Sequence, residues 1–439
     1  MLNNGWTQLE DYIRNIMEIE HIPGLTIGIS KGGDTLFQKG FGFRDVNKQL
    51  PATPETMFGI ASVTKSVTAL AILELENIGL LSIHDPVVKH LPEFYLNGVE
   101  DMTTIKISHL LSHTTGMPPM ERREQIETYN EHLSYIKSAQ YELLGKPGDY
   151  FSYCNDTFLL LGAIIEKLTG KLFRRYITNQ YLELLNMTRS TFSLEEVNKF
   201  SNVSIPYNMN RKTHEWTISQ WPALGTYETG GGIRSTVVDL LKYGQIYVNG
   251  EYPFTQKMWE PVHETGRGTY YGFGFNVTPA YADKYTIVQH GGGQPGVSSH
   301  FGFVPEEKLV VSVLTNVGGV SAGDIWHAAV NAALSLPLDY KKYKEPVYPM
   351  PIEEQVKFEG EYVSKESGPV SIYRNYDQLF AYIDGEEMAL RASGRDTLVM
   401  IKNEKPLRFY FREEKEKPWA LFNGSRMLRR IRNDKIERV

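Results

Sequence analysis

Apolar and polar positions change rhythm several times along this chain, and each change predicts an element. Helical spacing of apolar positions over about residues 5–20 predicts an amphipathic helix. Runs near Gly24–Ser30 and Thr35–Gly42 then predict two strands joined by a Gly-Gly-Asp turn. Past Ser62 the pattern shifts: Val67, Leu70, Ala71, Ile72, Leu73 and Leu75 make the segment apolar almost all round, as in a buried helix. A second apolar helix follows a Pro147-Gly148 turn and ends at Gly170. The chain reads as mainly helical from Ser62 to about 270, as strands between about 271 and 315, and as a helix over 322–334. Strands flanking a helical insert predict an α/β (α+β) architecture: one antiparallel sheet with helices on both faces, and a pocket between sheet and helical lobe.

From Lys341 to Pro351 the text becomes Pro-rich and charged, the signature of a linker. Eight short alternating runs follow, near 358–363, 370–373, 379–383, 387–390, 397–401, 407–411, 420–422 and 427–431. With hairpin signals at Asp384-Gly385 and Asn423-Gly424, they predict a small antiparallel barrel. The expected domains are therefore 1–345 and 352–439.

Composition narrows the classes of function. The 439 residues, 41% hydrophobic and 12% aromatic, can fill more than one sizeable core. A net charge of -6 argues against nucleic acid and anionic membranes as partners. The locally basic stretch Arg426–Arg432 alternates, and reads as a strand with a charged face. A single cysteine, Cys154, excludes an intrachain disulfide framework. No apolar run reaches membrane-spanning length, and no signal peptide is visible at the start. A cytoplasmic location is expected, or a secreted one if a leader has been removed.

The candidate chemistry begins at Ser62 and Lys65, which sit at i and i+3 where the apolar helix begins, on one helical face. Partial desolvation favours the neutral lysine, able to take a proton, and the helix N-terminus favours negative charge on the serine oxygen. The same spacing at Ser134 and Lys137 lies in a polar stretch and reads as a solvated helical face. Tyr153 and Asn155 stand where a loop meets the second apolar helix, a place for rigidly held side chains, whereas Tyr95/Asn97 and Tyr373/Asn375 share only the spacing. A third element, His290-Gly291-Gly292-Gly293, follows an alternating strand. Its glycines would let another backbone approach closely and would free an N–H for an oxyanion. A phosphate loop is disfavoured, since neither Gly-Lys-Ser/Thr nor a helix follows. His109 and His113 have i, i+4 spacing, but the Glu of His-Glu-x-x-His and a third ligand are missing, so a structural role is expected.

As an ordered set, Ser62-x-x-Lys65, Tyr153-x-Asn155 and the Gly-rich element resemble the serine hydrolases of the penicillin-binding protein and class C β-lactamase superfamily. The stretches Ile107–Gly116 and Gly230–Leu240 extend the resemblance, which covers about residues 5–340. It implies an acyl-enzyme: Ser62 attacks a carbonyl, Lys65 and Tyr153 act as a coupled base, and Asn155 positions Lys65 and substrate. The N–H groups of Ser62 and Gly293 would form the oxyanion hole, with His290, Gly291 and Gly292 lining the substrate side. No cofactor and no metal are implied. Penicillin-recognising members carry Lys-Thr-Gly where this chain has His290-Gly291-Gly292, which disfavours strong β-lactamase or D-Ala carboxypeptidase activity. The variant is similar to that of the family's D-amino-acid peptidases and esterases. The expected activity is therefore a serine hydrolase acting on amide bonds of small-molecule or peptide substrates with D-amino-acid preference. Carboxylesterase, weak β-lactamase and non-catalytic sensor remain open. The C-terminal runs resemble a lipocalin-like domain, a candidate cap, gate, stability module or surface for homo-oligomerisation.

Overall fold

Val310, Val311, Val313 and Leu314 leave no polar face on their strand, so it must lie between two apolar layers. The computed structural model, which describes residues 2–210, 212–413 and 415–431, places it there. Strands β1 (Gly24–Lys31), β2 (Asp34–Asp45) and β3 (Leu50–Pro51) come from the start of the chain. Strands β4 (His263–Gly266), β5 (Thr269–Tyr271), β6 (Asn276–Tyr281), β7 (Tyr285–Gln294), β8 (Val297–Val304) and β9 (Leu309–Thr315) come from beyond the helical insert. They form a nine-stranded sheet in the order β3-β2-β1-β9-β8-β7-β6-β5-β4. β1 and β9 pair antiparallel from Leu25↔Thr315 to Lys31↔Leu309, which joins the two sequence segments at the centre of the sheet. Strands thus start at His263, earlier than the expected 271, because two short edge strands precede Asn276.

One face of the sheet carries Ile27, Ile29, Val311 and Val313 against helices α1 (Leu2–Ile19) and α5 (Ala322–Ala333), with Trp326 donating from Nε1 to the Val311 carbonyl at 2.8 Å. The other face carries Val310 and Leu314 into the helical lobe of α2 (Thr64–Asn77), α3 (Asn155–Thr169) and α4 (Val237–Val248). α4 lies so close to β9 that a Cβ on Gly244 would be 2.2 Å from Val310. Two differences from the expected pattern appear in this lobe. Ser62 belongs to a 3-10 turn, Ala61–Val63, ahead of α2, and a small hairpin, Tyr207–Met209 with Trp216–Ile218, interrupts the helices.

Residues 341–351 carry no helix or strand. The chain then closes an eight-stranded barrel of β10 (Gly360–Val363), β11 (Val370–Asn375), β12 (Gln378–Ile383), β13 (Glu386–Ala392), β14 (Thr397–Met400), β15 (Lys405–Tyr410), β16 (Ala420–Asn423) and β17 (Arg426–Arg430). Phe358, Tyr362, Leu379, Leu390, Phe409 and Leu428 pack in its interior core. At Asp384-Gly385 both turn residues have positive φ, 52° and 86°, as a two-residue type I′ turn requires. At the other hairpin Asn423 still pairs with Arg426, so the turn is Gly424-Ser425. Arg432, with the rest of the expected domain from 433 to 439, lies outside the described residues.

The β16–β17 hairpin faces the segment around Leu144–Tyr153 and strand β5. Met427 N–H donates to Ser152 Oγ at 3.1 Å, Tyr153 N–H donates to the Ser425 carbonyl at 2.8 Å, and Arg429 Nη1 donates to the Leu143 carbonyl at 2.9 Å. Ala420, Phe422 and Met427 are buried there with Leu144, Phe151, Tyr153 and Tyr271. Burying Phe422 and Met427 contributes about 1.5–3 kcal/mol each.

Candidate active site

The turn that presents Ser62 is held from both sides. Ile60 N–H donates to the Ile233 carbonyl at 3.0 Å, and the Ile60 carbonyl accepts from Ser299 Oγ at 2.7 Å. Ala61, next in line, has φ of 45°, in the left-handed region that costs a non-glycine residue about 1–2 kcal/mol. Backbone held in this way commonly serves a site.

Lys65 is fully buried, and its Nζ lies 3.2 Å from Ser62 Oγ, 2.8 Å from Asn155 Oδ1 and 2.9 Å from the Gly230 carbonyl. A Cβ on Gly230 would stand 2.9 Å from Nζ, so a side chain there would crowd the amine. Burial, then the positive Arg122, pushes the Lys65 pKa well below the ordinary lysine range. A neutral amine has two N–H donors and one lone pair. With Asn155 and Gly230 accepting the donors, the lone pair is left for the Ser62 hydroxyl.

Tyr153 packs over this group, with Nζ 5.0 Å from its ring centroid and the His113 ring tilted against it at 4.2 Å between centroids. Burial pushes the phenol pKa up, and the Ser62 side chain opposes it in part. The phenol oxygen has no fully formed hydrogen bond among the described residues, which leaves its proton available for transfer. Asn155 opens α3, and the Cys154 N–H ahead of it donates to His113 Nδ1 at 3.3 Å. His113 is thus part of the tyrosine's support, while His109 Nδ1 accepts from the Lys106 N–H at 3.2 Å.

β7 brings the Gly-rich element alongside. Beyond Gln289 the β6 side of this strand is unpaired, while β8 covers the other side as far as Gln294. Its glycines differ in their surroundings. A Cβ on Gly292 would lie 2.4 Å from the Ile60 carbonyl oxygen and 2.3 Å from Ser299 Oγ, one on Gly291 would meet His300, and Gly293 faces open space. Gly293 and Ser62 line one narrow cavity of about 10 Å3 with Arg122, Asn155, Tyr227 and Gln294, room for about one water molecule. His290, buried, bonds through Nδ1 to the Gly291 carbonyl at 2.6 Å and through Nε2 to the Tyr271 hydroxyl at 3.1 Å. Burial, then Lys65, lowers its pKa to about 3, so it is neutral and offers no cation to a carboxylate.

The structure therefore brings Ser62, Lys65, Tyr153, Asn155, His290 and Gly291–Gly293 into one region. It adds Arg122, Glu366 and Arg426, which no spacing in the sequence singles out. The Arg426 guanidinium carbon lies 5.1 Å from the Tyr153 ring centroid. A much larger cavity, about 990 Å3, is lined by Tyr129, Glu166, Arg174, Glu228 and Arg234 and shares no residue with the Ser62 cavity. Ser62, Asn155 and Gly293 line the small one, so in this fold cavity size and the Ser62–Lys65 group do not coincide.

The Beta-lactamase family model matches residues 9–334. The chain belongs to that family. Protein flp of Staphylococcus aureus (strain MRSA252) is 30% identical over 326 residues, covering 72% of this chain and 64% of the relative. The chain thus spans less than two thirds of the length of the first curated relatives it matches. The octameric penicillin-binding protein homologue from Pyrococcus abyssi is 28% identical with a TM-score of 0.72, over 96% of this chain and 99% of the other. SurE, 19% identical with a TM-score of 0.75 over 98% and 99%, shares the fold. The Beta-lactamase family is one of serine hydrolases, and in this member its domain is followed by the closed barrel.

Proposed function

We propose that the protein is a serine hydrolase that cleaves amide bonds through an acyl-enzyme on Ser62, with preference for peptides containing D-amino acids. The observation that carries this reading is the Lys65 amine, stripped of water and 3.2 Å from Ser62 Oγ, with its other partners both acceptors. Ser62 Oγ attacks the substrate carbonyl as its proton passes to Lys65 Nζ. The oxyanion is met by the N–H groups of Ser62 and Gly293, a donor pair of the kind worth several kcal/mol. As the carbon–nitrogen bond breaks, the proton reaches the leaving amine by way of Lys65 and the Tyr153 phenol. Water then attacks the ester, loses its proton to the same pair, and releases Ser62 and the acid.

Neutral His290 favours this reading over a β-lactamase, since β7 carries no lysine to attract a carboxylate. The unpaired β7 edge from His290 to Gln294 supports a substrate laid as an extra strand. The D-amino-acid preference rests on the His-Gly-Gly triplet. A homo-oligomer is proposed by likeness to the octameric Pyrococcus abyssi homologue.

The test is labelling with a fluorophosphonate followed by mass spectrometry, beside turnover of D- and L-aminoacyl amides and p-nitrophenyl esters. Modification of Ser62 and faster turnover of D-aminoacyl amides are expected. An unmodified chain would point to a sensor, and ester-only turnover to a carboxylesterase.

A further inference from the structure

The hydrogen bonding that starts at Ser62 does not stop at Asn155. Asn155 Oδ1 accepts from Lys65, while its Nδ2 donates to Oε1 of Glu366, a residue of the barrel. Glu366 sits in the β10–β11 loop with only 7% of its side chain exposed. Its second oxygen accepts from Arg426 Nε at 3.0 Å, and the neighbouring Lys365 Nζ donates to the Gln140 carbonyl. Ser62, Lys65, Asn155, Glu366 and Arg426 thus form one unbroken chain from the reactive hydroxyl into the barrel.

Each link in that chain has a direction. A carboxylate only accepts, so Glu366 obliges Asn155 to point Nδ2 at the barrel and Oδ1 at Lys65. If the amide turned over, Nδ2 would face Lys65 and capture the lone pair of the neutral amine. That lone pair is the one the Ser62 proton requires. Gly230 offers Lys65 only a carbonyl and cannot correct the error. Arg426 makes the Glu366 contact charge-assisted and holds the carboxylate in place.

We propose that Glu366 is a positioning residue for the Ser62–Lys65 pair: by accepting from Asn155 Nδ2 it fixes the amide orientation that aims the Lys65 lone pair at Ser62, so the barrel completes the site. The inference rests on Ser62 being the nucleophile. It also gives the barrel a role within the chemistry, beyond that of a cap or a stabilising module.

The experiment compares full-length wild type, Glu366→Gln and Glu366→Ala by the rate of fluorophosphonate labelling at Ser62, read by mass spectrometry, with thermal unfolding alongside. A glutamine keeps an acceptor but also offers a donor, so the Asn155 amide populates both orientations. Labelling is expected to slow on the order of 10-fold or more in Glu366→Gln, as for other small misplacements of reacting groups, and further in Glu366→Ala. The melting temperature of the glutamine variant stays near that of wild type. Unchanged or faster labelling overturns the proposal, the faster result marking Glu366 as an inhibitor. Equal losses in the two variants also overturn it, since they mark a charge effect without orientation. Should the alanine variant fail to fold, the Glu-to-Gln comparison decides. Wild type unlabelled at Ser62 is a separate failure, that of the nucleophile reading beneath it.

Discussion

Lys65 has no water to solvate an ammonium, and positive Arg122 adds to the cost of charging it, so the amine is neutral at pH values where a free lysine is not. Activity should therefore rise with pH as Lys65 loses its proton, with a midpoint well under the ordinary lysine value of about 10.4. A kcat/KM profile measures this, and an acid limb centred near that ordinary value would sink the idea. Ser62→Ala should reduce turnover by roughly 10⁴-fold or more, as removal of a nucleophile does elsewhere, with the melting temperature little changed. Tyr153→Phe should slow both acylation and leaving-group departure while Ser62 stays in place. Burst kinetics on an activated ester would show this as a smaller and slower burst. The Ser/Lys pair was legible in the sequence because its spacing stood at the mouth of an apolar run. The neutrality of His290 was not. It comes from a fold that buries the ring beside Lys65, and the hydrogen bond between Nδ1 and the Gly291 carbonyl, which favours the charged ring, does not offset that burial.

Strand β7 meets the Ser62 turn through glycines that are not equivalent. Gly292→Ala would drive a methyl into the Ile60 carbonyl and Ser299 Oγ, displacing the turn that carries Ser62. Its melting temperature should fall by several degrees, as a cost of about 1–3 kcal/mol for overpacking implies, and activity should fall with it. Gly293→Ala points into open space and should unfold like wild type while narrowing the cavity. Calorimetry on the pair checks the contrast; equal melting temperatures would refute it. Elements with a strict period were readable in advance, including all eight barrel strands, whose inward residues alternate with outward ones from Val370 to Leu428. The 3-10 turn at Ala61–Val63 was not, because its geometry is imposed by Ser299 and Ile233 from far along the chain. Glu366 and Arg426 had no motif to betray them either. They matter only once β16 and β17 dock beside Tyr153.

At the scale of the whole molecule, four histidines sit where protonation is penalised. His113, His290, His300 and His327 all have pKa values lowered chiefly by burial, to about 3 for His290 and about 4 for His327. Between those values and the ordinary 6.5 or so of an unfolded chain, the unfolded state binds more protons. Stability should therefore drop as pH falls from 7 towards 4, by up to about 1.4 kcal/mol per pH unit for each such group. Urea unfolding at pH 7 and pH 5 tests this, and an unchanged midpoint would count against it.

The pairing of Gly24–Lys31 with Leu309–Thr315 also bears on how the protein is born. A ribosome that has released the helical lobe has not yet made the strand that locks the sheet, nor the Ser299 that holds the Ile60 carbonyl. Glu366 and Arg426 emerge later still. A nascent chain therefore carries Ser62 without the scaffold that would arm it until Glu366 and Arg426 have been made.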